Sequence, residues 1–496
     1  MIKIIINFIH IDVKTMRKFP LIIYLVLLTL ISCSKENNGN VINTVEPITK
    51  DLTIFIVNDV HGQIDNLSKV KYIIDQEREE TNVIVTSGGD IFSGNPIVDN
   101  YPEKGFPIID LMNRVGFDIS VVGNHEFDYG ETNLKNRINQ ANFEWVCANV
   151  DMSNSVIPQP FEYTTISVDN LKVTFLGLIE TDGKEDDIIP STHPWRVQNL
   201  TFERPESVVS RYSNIKEQEN SDLFIALTHI GFSKNNGKLG DYQLAEQFPY
   251  FDLIIGGHSH SRINDVVNNI PIFQAGGYLT NLGKIELTIT DKNIESIEYE
   301  LIDLSSRTEF DAELKNSIDE YNDSPFFNEI IGFSHLYHDR PQVGCFVAEA
   351  LRVKLGVDLT FQNTGGVRSS LDNGDILKRE IFEILPFNNP MMIYEMTIAE
   401  IKNFLIGSGS GFYYSGVKFE NINGVFNVKD LDGNIISDNT ILTVGLNDYI
   451  PAVYDTYFPD NGSVQPHTDA ETVIFYLEEI NNQVDYPTSD NYFIYD

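Results

Sequence analysis

The stretch DLTIFIVNDVHG, Asp51 to Gly62, sets the reading of the whole chain. It runs through Leu52 to Val57 as an apolar β-type segment and then stops abruptly on Asn58, Asp59 and His61. Four later stretches repeat the pattern. NVIVTSGGD ends on Asp90, FDISVVGNHEFD carries Asn124, His125 and Asp128, LFIALTHIG carries His229, and FDLIIGGHSH ends on His258 and His260. Buried strands of a layered α/β sheet read as near-continuous Val/Ile/Leu/Phe runs, and ligands of such sheets collect beyond the carboxyl ends of the strands. Strand ends that all carry metal-type side chains therefore predict one shared metal site. Scattered core histidines would not sort in this way.

Between these runs lie helix-like segments, FPIIDLMNRVG and NLKNRINQA, and the alternation predicts a layered α/β domain. NLKVTFLGLIE, PIFQAG and LGKIELTIT add strands beyond what a single doubly wound unit needs, so two mixed sheets with outer helices are expected. At 496 residues two or three domains are expected. DAELKNSIDEYN, polar and helix-favouring, reads as a connector, after which VGCFVAEALRVKLG and LTFQNTGGVR open a second domain.

A net charge of −37 repels phosphate polymers and excludes a nucleic-acid-binding role. An anionic small substrate would need local cations against that field. At the N-terminus, Met16-Arg17-Lys18 followed by the apolar Leu21 to Ile31 has the length of a signal peptide and is too short for a membrane span. Leu30-Ile31-Ser32-Cys33 is similar to a bacterial lipobox, which makes Cys33 the lipidated residue; a plain secretory signal is the weaker reading. Ser34 to Lys50 is polar and suits a tether, and Lys35-Glu36 resembles a surface-export signal. Lipid anchoring to a bacterial envelope, periplasmic or surface-exposed, is the expected location. Cys147 and Cys345, the remaining cysteines, sit among apolar residues and are expected as buried free thiols.

The ligand chemistry follows from residue types. Asp59-x-His61 puts both side chains on one face if the strand is still extended, and His258-x-His260 repeats the spacing. Gly256 and Gly257 let the backbone turn tightly there. Asp90, after Gly88-Gly89, is the carboxylate placed to bridge two ions. Oxygen and imidazole donors without sulfur suit two divalent ions of Zn, Mn, Fe or Co. His125 follows Asn124 directly and points away from the ligand set, and Asp128 is spaced to hydrogen-bond it.

NDVHGQI, GGDIFSGNP, VVGNHEFDYG, LTHIG and GGHSH resemble the calcineurin-like metallophosphoesterases, and more specifically the bacterial 5′-nucleotidase branch, over Leu52 to about Leu477. The resemblance implies an α/β fold, a four-layer metallophosphoesterase β-sandwich flanked by helices, followed by a smaller α/β (α+β) substrate-binding domain. The sequence is thereby divided at 1–32 for the signal peptide, with Met16 as its start, 33–50 for the tether, 51–305 for the phosphoesterase domain, 306–331 for a connector helix and 332–496 for the substrate domain. The resemblance also implies one metal on Asp59, His61, Asp90 and His260, a second on Asp90, Asn124, His229 and His258, and in-line attack by a metal-bound hydroxide. The His125/Asp128 pair becomes the transition-state stabiliser or leaving-group acid.

In the second domain, Asn363-Thr364-Gly365-Gly366-Val367-Arg368 is similar to the family's Asn-x-Gly-Gly-Ile/Val-Arg signature. Gly365 and Gly366 permit close backbone approach and Arg368 offers a planar fork for phosphate. The resemblance places Asn363 near the nucleobase and Arg340 near a second phosphate site, and Leu385-Pro386-Phe387-Asn388 resembles the family's Pro-Phe-x-Asn turn. Asn447-Asp448-Tyr449 fits the start of the family's base-stacking loop, but the Gly-Gly-Asp-Gly-aromatic sequence that should follow is replaced by IPAVYDTYFP. Tyr454, Tyr457 or Phe458 can supply the missing ring or can belong to the core, and the sequence leaves both readings open.

The expected function is removal of phosphate from extracytoplasmic 5′-nucleotides with broad base preference, Arg368 setting nucleotide affinity apart from the metal chemistry. The alternatives are a 2′,3′-cyclic nucleotide phosphodiesterase/3′-nucleotidase or nucleotide-sugar hydrolase, and a surface nucleotide-binding lipoprotein with little turnover.

Overall fold

Leu52–Val57 lies within the strand Thr49–Val57, and both faces of that strand are covered. Leu52, Ile54 and Ile56 pack against Val173, Phe175, Ile225 and Leu227, whereas Phe55 and Val57 enter a different core with Val70, Ile74, Ile108 and Met112. Alternate residues facing two apolar layers are the reason the run reads as continuous.

The computed structural model describes residues 49–233, 238–422, 425–486, 489 and 491–493. The residues read as a signal peptide, Cys33 and the expected tether as far as residue 48 lie outside the described residues. Thr49 and Lys50, expected in the tether, already belong to the first strand and pair with Thr290 and Ile289. Lys50 is held there by Asp222, 3.2 Å from its Nζ.

Two six-stranded mixed sheets form the first part. One runs, edge to edge, through Asn293–Asp303, Asn281–Thr290, Thr49–Val57, Asn82–Ser87, Ile119–Val121 and Glu144–Val146, the last four parallel. The other runs through Arg262–Val267, Ile270–Ala275, Leu253–Ile255, Leu223–His229, Leu171–Ile179 and Tyr163–Val168, the middle four parallel. Their inner faces share one apolar core. Helices Leu67–Arg78 and Phe106–Val115 cover the first sheet, and Asp241–Gln247 with Val208, Val209 and Ile215 covers the second, which makes four layers.

Helix Ala312–Asn322 follows, its first turn closed by Asp311 Oδ1 accepting from Leu314 N at 2.7 Å. Ile330–Ser334 is already a strand of the second part, paired with Gly374–Leu377 and Gln483–Val484. Helix Arg340–Leu355 starts on a capping box of Asp339 and Gln342 and packs on a six-stranded sheet that includes Leu359–Asn363 and Ile441–Asn447. The core around Val343, Phe346 and Leu371 is continuous with the outer helical layer of the first part. That shared core joins the two parts into one compact unit. Cys147 and Cys345 are buried free thiols. No helix among the described residues is long and apolar enough to cross a membrane.

Candidate metal centre

The strand ends deliver their side chains through strained backbone. Asp59, His61, Asp90, His258 and His260 have φ of 51°, 50°, 53°, 76° and 51°. The expectation that Asp59 and His61 share the face of an extended strand is therefore corrected: the strand stops at Val57 and the backbone folds over its end. Each left-handed non-glycine residue costs about 1–3 kcal/mol, with Asp, Asn and His the types that tolerate it best. The surroundings hold the geometry: Asp59 N donates to Gly89 O at 3.0 Å, His61 N to Asp90 O at 3.0 Å, and His258 N to Asp59 Oδ1 at 3.0 Å. Gly256 and Gly257 act differently from expectation, by room rather than by turning. A Cβ on Gly256 would stand 1.9 Å from Asp241 Oδ2, and one on Gly257 2.3 Å from Gly88 O.

Asp59, His61, Asp90 and His260 form one group and Asp90, His229 and His258 another, each with its donor atoms within 4.8 Å of one another. Asn124 joins the second group, its Oδ1 3.1 Å from His229 Nε2 and 3.0 Å from His258 Nδ1. Asp90 is common to both. Its Oδ2 lies 3.0 Å from His229 Nε2 and 4.0 Å from His61 Nε2, while its Oδ1 accepts from His125 N at 2.9 Å. Glu126, unassigned from sequence, accepts from the backbone N–H groups of Asp90, Ile91 and Gly123 and so locks the Asp90 loop.

The donor set fits divalent cations. His61 Nδ1 is paired with Ser93 O at 2.9 Å and His229 Nδ1 with Gly88 O at 2.7 Å, which leaves the Nε2 lone pairs pointing inward. His61 Nε2 then faces His260 Nε2 at 3.0 Å, and His229 Nε2 faces the oxygens of Asp90 and Asn124. Donor atoms converging in this way are placed to hold a cation between them. Burial opposes charge on His229, yet Asp90 and Asp59 outweigh it and raise its pKa to about 10, so the site favours positive charge. Tyr278, also unassigned from sequence and left-handed at φ 60°, stacks on His61 at 5.1 Å and closes the outer side.

His125 lies beside the ligand groups. Its Nδ1 pairs with Asp128 Oδ2 at 2.7 Å, and its Nε2 is 4.0 Å from Asp90 Oδ2. Burial lowers its pKa, but the Asp128 and Asp90 carboxylates outweigh that and the net shift is upward.

The second part supplies the facing wall of the cleft, with Asn363, Gly365, Arg368, Phe387, Asn389 and Tyr449. Arg368 reaches across, its Nη2 3.2 Å from His61 Nε2. Phe387 stacks on His125 at 5.4 Å and 14°. Asn363 is fixed by Asn447 Nδ2, which donates to its Oδ1 at 2.9 Å. Gly366 is buried and does not face the cleft; a Cβ there would meet Gln362 Nε2 at 2.5 Å, so its smallness serves packing. Arg340 is exposed and donates to Thr364 O at 2.9 Å, bracing the turn from outside the cleft.

Tyr457 and Phe458 are not cleft residues, and neither is Tyr454. The segment folds as helix Tyr449–Val453 and a short turn Asp455–Tyr457, which directs the rings into the aromatic core. Phe458 lies 4.9 Å from Phe404, Tyr457 6.4 Å from it, and Tyr454 5.8 Å, with its hydroxyl 2.6 Å from Ser410 Oγ. The rings at the cleft are Phe387 and Tyr449, both within motifs legible in the sequence.

Residues 52–262 match the calcineurin-like phosphoesterase family, and residues 331–452 match the 5′-nucleotidase C-terminal domain. The chain is 27% identical over 510 residues to the trifunctional nucleotide phosphoesterase protein YfkN of Bacillus subtilis, covering 88% of this chain and 34% of that protein. It is 24% identical over 443 residues to a 5′-nucleotidase of Vibrio cholerae, covering 74% and 79%. It thus spans about a third of YfkN's length but most of the Vibrio protein's. The crystal structure of a 5′-nucleotidase precursor from Thermus thermophilus shares the fold, with a TM-score of 0.79 at 19% identity over 89% of this chain and 98% of that one. The chain thus carries a calcineurin-like phosphoesterase domain followed by a 5′-nucleotidase C-terminal domain.

Proposed function

We propose that the protein is a metal-dependent phosphohydrolase that removes phosphate from 5′-nucleotides. The observation that carries this reading is Asp90, whose carboxylate is shared by two inward-pointing donor groups beside a histidine–aspartate pair and a converging arginine. Asp59, His61, Asp90 and His260 would hold one divalent ion, and Asp90, Asn124, His229 and His258 the other. Such ions, Zn, Mn, Fe or Co, lower the pKa of water to about 7 and withdraw charge from phosphoryl oxygens. Arg368 binds the phosphoryl group through its planar fork. His125, oriented through Nδ1 by Asp128, presents Nε2 to the leaving oxygen and gives it a proton. Asn363, Phe387 and Tyr449 wall the nucleoside, and π faces without a dense set of base-edge donors support broad base preference.

The N-terminal sequence supports an extracytoplasmic enzyme anchored to the cell envelope through lipid on Cys33. The deciding experiment is a phosphate-release screen of metal-loaded protein against nucleoside mono-, di- and cyclic phosphates, nucleotide sugars and p-nitrophenyl phosphate. Fastest release from 5′-mononucleotides is expected. Faster turnover of cyclic nucleotides or nucleotide sugars would replace the substrate assignment, and no release at all would leave a binding lipoprotein.

A further inference from the structure

We infer that Arg196 is a positioning residue for this reaction, acting through Asp128 on His125. The inference rests on the function proposed above. Asp128 is 6% exposed and each of its oxygens has two donors. Oδ2 accepts from His125 Nδ1 at 2.7 Å and from Ser93 Oγ, while Oδ1 accepts from Thr192 Oγ1 at 3.3 Å and Arg196 Nη1 at 3.0 Å. Arg196 is the only cation among these four donors besides His125 itself. With both oxygens engaged, the carboxylate cannot rotate about its Cβ–Cγ bond without breaking charge-assisted hydrogen bonds, so the plane of the His125 ring is set through Asp128 by Arg196, which lines the same cleft.

The segment carrying Arg196 is itself pinned to the centre. Ser191 O accepts from Nδ2 of Asn124 at 3.0 Å, and the turn Pro194–Arg196 is capped by His193 Nδ1, which accepts from Trp195 N at 3.3 Å. Six consecutive residues from Ser191 to Arg196 thus orient the amide of one proposed ligand and the partner of the proposed acid. No motif in the sequence marks them.

The role separates from simple charge neutralisation by its dependence on the leaving group. In the step proposed, an oxygen from water forms a bond to phosphorus as the P–O5′ bond breaks. The His125 Nε2 proton passes to the departing O5′, and a proton of the attacking water is released to solvent. A nucleoside alkoxide needs that proton, whereas p-nitrophenolate is stable without it. Arg196→Ala should lower kcat on 5′-nucleotides by about 10- to 100-fold, the range for lost outer-shell orientation. On p-nitrophenyl phosphate kcat should stay near wild type, and KM should hold for both. Added guanidinium should restore part of the nucleotide rate, and Arg196→Lys, keeping charge without the fork, should fall between.

Wild-type release from nucleotides, metal content and thermal melting are measured alongside. Equal losses on both substrates, or a change confined to KM, would overturn the positioning role while leaving the phosphohydrolase reading intact. Wild-type protein that releases no phosphate would remove both. Should Arg196→Ala fail to fold, the leaving-group comparison on Arg196→Lys and Arg196→Gln decides in the same way.

Discussion

The two walls of the cleft are built on opposite plans. On the phosphoesterase side five of the seven proposed ligands are buried, five stand on left-handed backbone, and His61, His229 and Asp90 are each aimed by a further hydrogen bond to a neighbouring loop. On the opposite wall, Arg368 and Phe387 are half-buried, and they reach the centre from a glycine turn and a Pro-Phe turn. One wall fixes its donor atoms through strained backbone; the other offers surfaces. On the function proposed, the first wall would carry the reaction and the second would bind the substrate.

The sharpest way to break that contrast is Asp90→Asn. An asparagine oxygen can still accept from His125 N, so the loop should fold, but the shared anionic oxygen facing His229 is gone. Turnover should vanish and at least one metal should be lost, checked by metal analysis of the folded variant. Two tightly bound ions with near-normal kcat would show that the strained wall is not the source of the chemistry.

Next in size is His125→Ala. The imidazole stands beside the donor groups and pairs with Asp128. Metal content should hold while kcat on nucleotides falls roughly 10²–10⁴-fold, the range for a positioned proton donor. Loss of a metal instead would make His125 a ligand and merge the two roles.

What was legible in the sequence follows the same division. Apolar runs ending on Asp, Asn and His disclosed the parallel strands and the donors beyond them, because a strand buried on both faces has a compositional signature and ligands must be particular residue types. The backbone route was not legible: nothing in Asp59-x-His61 distinguishes an extended strand end from left-handed turns. Ser93 and Glu126 lay inside motifs whose other residues drew attention, and Arg196 lay in none. Tyr457 and Phe458 were open because an aromatic ring suits a core as well as a base, and only the inward turn at Asp455–Tyr457 decides between them.

Arg368→Lys tests the reach of the second wall. The sequence alone suggested a loss specific to nucleotides, but the guanidinium lies 3.2 Å from His61 Nε2, beside the donor groups where the function proposed would put the reacting phosphate. A charge-assisted hydrogen bond contributes about 1.5–3 kcal/mol, which is roughly 10- to 100-fold in KM. The expected result is a similar rise for 5′-nucleotides and p-nitrophenyl phosphate. A rise confined to nucleotides would place Arg368 on a distal part of the substrate.

The smallest effect separates the two kinds of ring on the second wall. Phe458 packs 4.9 Å from Phe404 and 5.2 Å from Tyr394, away from the cleft, and is half-buried. Phe458→Ala should therefore cost about 2 kcal/mol of stability, below the range for a fully buried phenylalanine, and leave kcat and KM of the folded fraction unchanged. Phe387 touches His125 at 5.4 Å and lies 5.9 Å below the Arg368 guanidinium. Phe387→Ala should change melting less and raise KM for nucleotides, because the ring lies under the arginine and lines the cleft. Melting curves and steady-state kinetics on both variants give the comparison directly. If Phe458→Ala raised KM while melting like wild type, its ring would have to reach the substrate, and the loop from Ile450 to Pro459 would be a recognition element rather than core.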